Sequence, residues 1–302
     1  MAHEPIHTPR SRGDSFFRVG IAYGLAVAAG GGAAALTWDQ PVLMTAAAAD
    51  IAGTLVIFLA SRWFDNSSVY DAYWSVAPPF LLALFALHPS AQGDLARQAL
   101  VGATVGAWAV RLTWNWARGW HGLHEEDWRY ADFRRRLGGL YWLLSFAGLH
   151  FFPTVQVFLG LLPAAFAMSS SEPLGWLGLL GGAVVAGAVV LQGVADEQLR
   201  RFVSESGPHD VLRTGLWARS RHPNYLGEVG VWLGVLLLGL DAGAPAWTSV
   251  GFVAIAGMFV GVSIPLMERR QLRKRPAYQE VIDEVPMLIP RPWSRGATGS
   301  RD

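Results

Sequence analysis

Gly215-Leu216-Trp217-Ala218-Arg219-Ser220-Arg221-His222-Pro223-Asn224-Tyr225-Leu226-Gly227-Glu228 runs without a break into the apolar stretch that begins at Val229. Hydrogen-bonding and basic side chains packed this densely at the head of an apolar run read as the mouth of a membrane helix. Pro223 biases His222 away from helical geometry, which places the helix start near Asn224, in the position of an N-cap. Free backbone N–H groups at such a start favour an anion, Arg219 and Arg221 offer two permanent forks for phosphate, and His222 offers a titratable ring. A basic juxtamembrane loop gripping lipid headgroups is the plainer reading of the same residues.

Whether the segment heads a membrane helix depends on the rest of the chain. Of the 302 residues, 52% are hydrophobic and 16% charged, and the mean hydropathy is +0.29. That is too apolar for an ordinary soluble domain. Apolar windows fall at about 17–37, 42–61, 69–88, 98–117, 139–168, 174–195, 226–240 and 246–266, each able to cross a bilayer as a helix. Bare backbone does not survive in lipid, so these windows must be helical despite their glycines and β-branched residues. The fold class expected is an all-α, polytopic transmembrane helix bundle with eight spans. It forms a single transmembrane domain over residues 16–292, flanked by solvated tails at 1–15 and 293–302.

Arginine and lysine number 24. With the N-terminus inside, all of them except Arg97 and Arg111 fall on the inner side, so the pattern predicts cytoplasmic N- and C-termini. Lys274 is the only lysine, a compositional hint of a GC-rich bacterial genome and hence of a bacterial inner membrane. The absence of cysteine removes disulfides and thiolate chemistry. No Rossmann or Walker fingerprint is present, and the glycine and alanine clusters read as close helix packing.

This topology sets the depth of the charged residues inside spans, which are costly unless paired or wetted. Asp71 lies at the inner end of span three, Arg111 in the inner half of span four, Asp196 and Arg200 at the inner end of span six, and Glu228 at that of span seven. They converge at one level of the membrane, to which Asp50 and His150 do not belong. A second cluster (Arg118, His121, His124, Glu125, Glu126, Asp127, Arg129, Tyr130 and Arg134 to Arg136) matches no zinc spacing and reads as a salt-bridged loop. A third, Met267 to Tyr278, either clamps phosphate or stops transfer at the inner face.

The run Gly215 to Glu228, followed by Trp232-Leu233-Gly234, resembles the signature of the steroid 5-alpha-reductase C-terminal domain in its bacterial DUF1295 membrane branch. Asn66-x-Ser68-x-x-Asp71-x-x-Trp74, Trp108-x-x-Arg111-Leu112, Asp127-x-Arg129-Tyr130, Arg275-Pro276-x-Tyr278 and Leu288-Ile289-Pro290 fit the same branch. The similarity covers about 45–292 and implies a seven-helix reductase-like core with one added N-terminal helix. It implies NADPH in a cytoplasm-facing pocket and hydride transfer to a conjugated double bond of a steroid-like or other lipid substrate. No nucleic acid or metal partner is implied. Carried over by position, the cofactor-contacting residues are Arg111, Gln192, Asp196, Arg200, Arg221, His222, Asn224, Tyr225, Glu228 and Tyr278.

The steroid enzymes complete the chemistry with a Gln-Glu pair and a tyrosine. Here Asp71-Ala72-Tyr73-Trp74 and Trp108 stand in their place, so Asp71 or Tyr73 is the candidate acid. Isoprenylcysteine and phospholipid methyltransferases share an Arg-His-Pro-x-Tyr-x-Gly core, which leaves an S-adenosylmethionine-dependent methyltransferase as an alternative. A non-catalytic lipid-binding protein is a third.

Overall fold

The computed structural model describes residues 11–291, and among them the regular structure is all helical, with no strand. Helix α1 (Arg12–Leu36) starts earlier than its apolar window. The Ser11 side chain accepts from the Asp14 N–H, and Asp14 pairs with Arg18 at 2.8 Å. Residues 12–15 therefore belong to the helix, with Ser11 as its cap, rather than to the tail, and the remaining tail residues lie outside the described chain. Helix α2 (Val42–Phe64) packs along α1 and ends at Asp65, whose φ of 52° is left-handed.

From Asn66 the chain turns back into the protein through a buried 3₁₀ turn, Ser67–Tyr70, before α3 (Tyr73–Leu87). Irregular backbone at such a place must find all its partners within the protein. The Asn66 amide donates to the Leu123 and Glu125 carbonyls at 3.0 and 2.9 Å, and the Ser67 N–H to Glu126 at 2.8 Å. The Asp127 N–H donates to the Ser68 hydroxyl at 2.8 Å. The resemblance motif Asn66-x-Ser68 is thus a joint between two loops.

Helix α4 (Leu95–Gly119) is capped by Asp94. A short amphipathic helix, α5 (Trp128–Leu137), leads into a continuous helical rod made of α6 (Tyr141–Ser145), a π-helical turn (Phe146–Phe151) and α7 (Phe152–Ser169). Then come α8 (Trp176–Glu205) and α9 (Pro223–Asp241). A second rod joins α10 (Val250–Met258) through a π turn to α11 (Ile264–Lys274), and α12 (Tyr278–Glu284) closes the described chain.

Among the described residues, seven helical segments are long and apolar enough to cross a membrane, against the eight windows expected. The one that falls short is α4, because Arg97, Arg111 and Arg118 dilute its apolar residues. Large apolar side chains such as Phe17, Leu36, Trp63, Trp114, Leu143, Trp176 and Val253 stand exposed around the bundle. On a protein in water they would be a liability; in a bilayer they are the lipid-facing surface.

The closest pairing is α8 with α9. A Cβ on Gly181 would meet the Gly234 carbonyl at 2.8 Å, and one on Gly234 the Gly181 carbonyl at 2.7 Å. Only glycine lets the two backbones meet there. At the end of the bundle away from α12, Arg97 is fully buried in the first turn of α4, not in a loop. It donates to Asp241 at 2.8 Å and to the carbonyls of Pro173, Glu172 and Leu238, while Asp241 also accepts from the Gly175 N–H at 2.9 Å. That ion pair closes α4, α8 and α9 at one end. The opposite, arginine-rich end holds the polar cluster.

Candidate active site

Glu228 sits on the second turn of α9, 4% exposed, facing α4 and α8. A bare carboxylate there would be prohibitive. Trp108 of α4 donates its indole N–H to both oxygens at 3.1 Å, Trp232 donates from the next turn of α9 at 3.2 Å, and Gln192 of α8 donates at 2.5 Å. Arg111 adds a cation at 3.8 Å. Trp74, Trp108 and Trp232 pack edge to face, with centroids 5.8 and 5.4 Å apart, and wall the group off.

Arg111 directs its main contact to Asp196 of α8, at 2.8 Å. Gln192 and Asp196 are four residues apart and so share a helix face. Spacing therefore brings them jointly to Arg111 and Glu228. Even so, the cluster is incompletely satisfied. Nε and Nη2 of Arg111 and the amide oxygen of Gln192 are buried without a hydrogen-bond partner.

Asn224 is not the cap of α9. His222 occupies that position, because Pro223 lacks an N–H and takes the first helical place. Asn224 lies in the first turn, where its backbone carbonyl accepts from Gln192 at 3.4 Å and its side chain reaches Asp196. Tyr225 stacks on His222, with centroids 5.4 Å apart and planes 9° from parallel.

Arg221 is not a free phosphate fork. It donates to Glu268 at 2.7 Å and to the Ile282 and Val285 carbonyls at 2.9 and 2.6 Å, strapping the segment around α12 to the head of α9. His222 meets the same Glu268 oxygen at 3.0 Å. A cavity of about 120 Å³ opens beside them, with Asp210, Trp217, Asn224, Gln271, Arg275 and Tyr278 in its wall. Burial pushes the Tyr278 phenol up to about 12. Arg200 turns outward and pairs with Glu197 at 2.6 Å, so it does not join the cluster.

The two candidate acids point apart. Asp71 accepts from the Tyr130 hydroxyl at 2.6 Å, with Arg129 and Asp127 of the second cluster around it. Tyr73 instead enters the core between α1 and α2, beside Tyr23 and Tyr70. Trp108 and Trp232, which hold the central carboxylate, were not among the expected site residues. Their signal in the sequence was their place in the motifs Trp108-x-x-Arg111-Leu112 and Trp232-Leu233-Gly234, but that both donate to Glu228 is legible only once α4 and α9 are paired.

A helical membrane bundle that gathers two carboxylates, an arginine, two amides and a polar cavity at one end defines an integral-membrane protein with a polar pocket under an apolar wall. The chain belongs to the DUF1295 family, described as a protein of unknown function, whose model matches residues 57–285. It is also similar to an uncharacterized protein of Schizosaccharomyces pombe, 26% identical over 265 residues that cover 78% of this chain and 76% of the other. No solved structure matches it.

Proposed function

We propose that the protein is an integral-membrane reductase that uses NADPH to reduce a conjugated double bond in a lipid or steroid-like substrate. The family's likeness to the steroid 5-alpha-reductases supports this reading, with the arginine-rich end of the bundle facing the cytoplasm and its soluble cofactor. The observation that carries it is the set of orphaned atoms around Glu228. Arg111 holds two donors and Gln192 one acceptor that are buried without partners. Buried polar atoms call for a partner, and a group that offers one acceptor beside two donors, as the nicotinamide carboxamide does, complements them.

In this reading Arg111, Gln192 and Asn224 hold the carboxamide end, while Glu228 and Asp196 fix the arginine in place. His222, Tyr225, Arg275 and Tyr278 line the cavity for the remaining, phosphate-bearing part. The bound dinucleotide supplies hydride to carbon. The chain's own contribution is to orient it, to exclude water with Trp74, Trp108 and Trp232, and to polarise the substrate oxygen with an acidic side chain.

The test is a thermal-shift titration of the protein in mild detergent with NADPH and, separately, S-adenosylmethionine. The reading expects stabilisation by NADPH that is lost in Asn224→Ala. Stabilisation by S-adenosylmethionine alone would replace it with the methyltransferase reading, and no shift with either ligand would favour a lipid-binding protein.

A further inference from the structure

The basic stretch from Met267 to Tyr278 lends the cavity only Met267, Gln271, Arg275 and Tyr278. Its other cations, Arg269, Arg270, Arg273 and Lys274, stand elsewhere. At about 100° per residue these four fall on one arc of α11, about 140° wide, and Met267, Glu268, Gln271 and Leu272 fall on the opposite arc. That opposite arc is engaged with the protein. Met267 and Gln271 line the cavity, Glu268 holds Arg221 and His222, and Leu272 packs against Tyr278, Val281 and Val285.

The cationic arc is nearly without protein partners. Among the described residues, Glu268 is the only member of α11 in an ion pair. Arg270 is half-buried, its guanidinium 3.9 Å from the Trp128 ring of α5, while Arg269, Arg273 and Lys274 are exposed. Asp127 acts on Arg270 but is itself paired with Arg129 at 2.8 Å. Arg269 with Arg273, and Arg270 with Lys274, are like charges four residues apart, which repel along a helix. The negative end of the helix accounts for Arg273 and Lys274 in its last turn, but not for Arg269 and Arg270 one turn earlier. Orienting a span calls for cations near its end, and not for cations gathered on one face.

Along the same side of the rod the surface is apolar. Val262, seven residues and nearly two turns before Arg269, is 60% exposed, and Leu266 lies half-buried between them. A ligand for this face needs anionic acceptors at one end and an apolar body beside them. We propose that the outer face of α11 is a binding site for an anionic phospholipid of the adjoining leaflet. Arg269 and Arg273 take the phosphate with their forks, and Arg270 and Lys274 add charge. Trp128 sits at the headgroup level, where tryptophan is at home, and an acyl chain lies along Leu266 and Val262. A free phosphate or a nucleotide matches the cations but leaves the apolar strip uncovered. The assignment does not depend on the reductase reading.

The experiment titrates the full chain, in an uncharged detergent, with dioleoylphosphatidylglycerol and separately with dioleoylphosphatidylcholine, and reads affinity from the thermal shift. The anionic lipid is expected to bind at least about fivefold more tightly, the worth of one basic side chain at a lipid surface. Arg269→Gln with Arg273→Gln should weaken it about fivefold per charge removed and leave the choline lipid unchanged, while Arg269→Lys with Arg273→Lys retains most of the affinity. The melting temperature without lipid checks that both variants fold. Arg135→Gln with Arg136→Gln, which takes the same charge from exposed positions of α5, should leave the affinity near that of the parent. A phosphatidylglycerol with a photoactivatable acyl chain should label the rod around Val262 and Leu266. Equal affinity for the two lipids, an unchanged affinity in the double glutamine variant, or equal competition by glycerol phosphate, which has no chains, overturns the proposal. Displacement of the lipid by NADPH also overturns it, since the cations would then serve the cavity. If the lipid binds as expected and NADPH does not bind at all, the lipid site stands and the reductase reading falls.

Discussion

The indole N–H of Trp108 lies 3.1 Å from each oxygen of Glu228, bisecting a carboxylate that two other neutral donors also hold. The charge is thus spread over fixed dipoles from three helices, and Arg111 can give its best contact to Asp196. Glu228→Gln turns an amide N–H toward those donors and strips Arg111 of its second carboxylate. Arg111 keeps Asp196, so the cost is that of buried donors left facing an amide, about 1–3 kcal/mol, to be read from denaturant unfolding in detergent. A double-mutant cycle of Trp108→Phe with Glu228→Gln should show coupling of about 1 kcal/mol or more.

Arg111→Lys keeps the charge but loses the planar fork and the two unpartnered donors. NADPH affinity should fall at least about tenfold, one charge-assisted hydrogen bond's worth, in an equilibrium titration. The exposed, outward-turned Arg200, changed to Ala, should leave it unchanged.

Arg221 joins α9 to the carbonyls of Ile282 and Val285. Arg221→Ala should release the segment around α12, and limited proteolysis should cut between residues 276 and 291 far faster than in the parent. The neighbouring Arg219→Ala, at an exposed position, should not change the cleavage pattern.

At the other end of the bundle, Asp241→Ala leaves the fully buried Arg97 without its counter-ion. The expected loss is about 3–5 kcal/mol. Replacing both, Arg97→Met with Asp241→Ala, should recover a large part of it, which the same unfolding measurement checks.

Tyr278 gives an alkaline limit. Its phenol titrates near 10 when exposed and near 12 in the fold. A group raised in this way contributes stability that is complete below pH 10 and is lost as pH climbs through about 12. The melting temperature should therefore hold up to pH 10 and fall above it. Tyr278→Phe should flatten the fall.

The helical class was legible because each apolar window is long enough to span a bilayer and nothing else satisfies its backbone there. The meeting of Gln192, Asp196, Arg111 and Glu228 was partly legible too, since the first two share a helix face and all four sit near span ends. The roles were not. Arg221 reads as a phosphate ligand by chemistry, and only the return of the chain at Ile282 and Val285 shows its forks occupied. Asn66 and Ser68 read as part of a site motif, yet they bind a loop nearly sixty residues downstream.

That joint between Asn66 to Ser68 and the loop at 123–127 also orders events during synthesis. When α2 and α3 leave the ribosome, the residues that must quench the polar backbone between them have not yet been made. The turn cannot settle until α4 has been threaded and residue 127 has followed it, 59 positions behind Ser68. The first hairpin of the core is therefore completed from the second, and a nascent chain halted before residue 127 should remain a substrate for the insertion machinery.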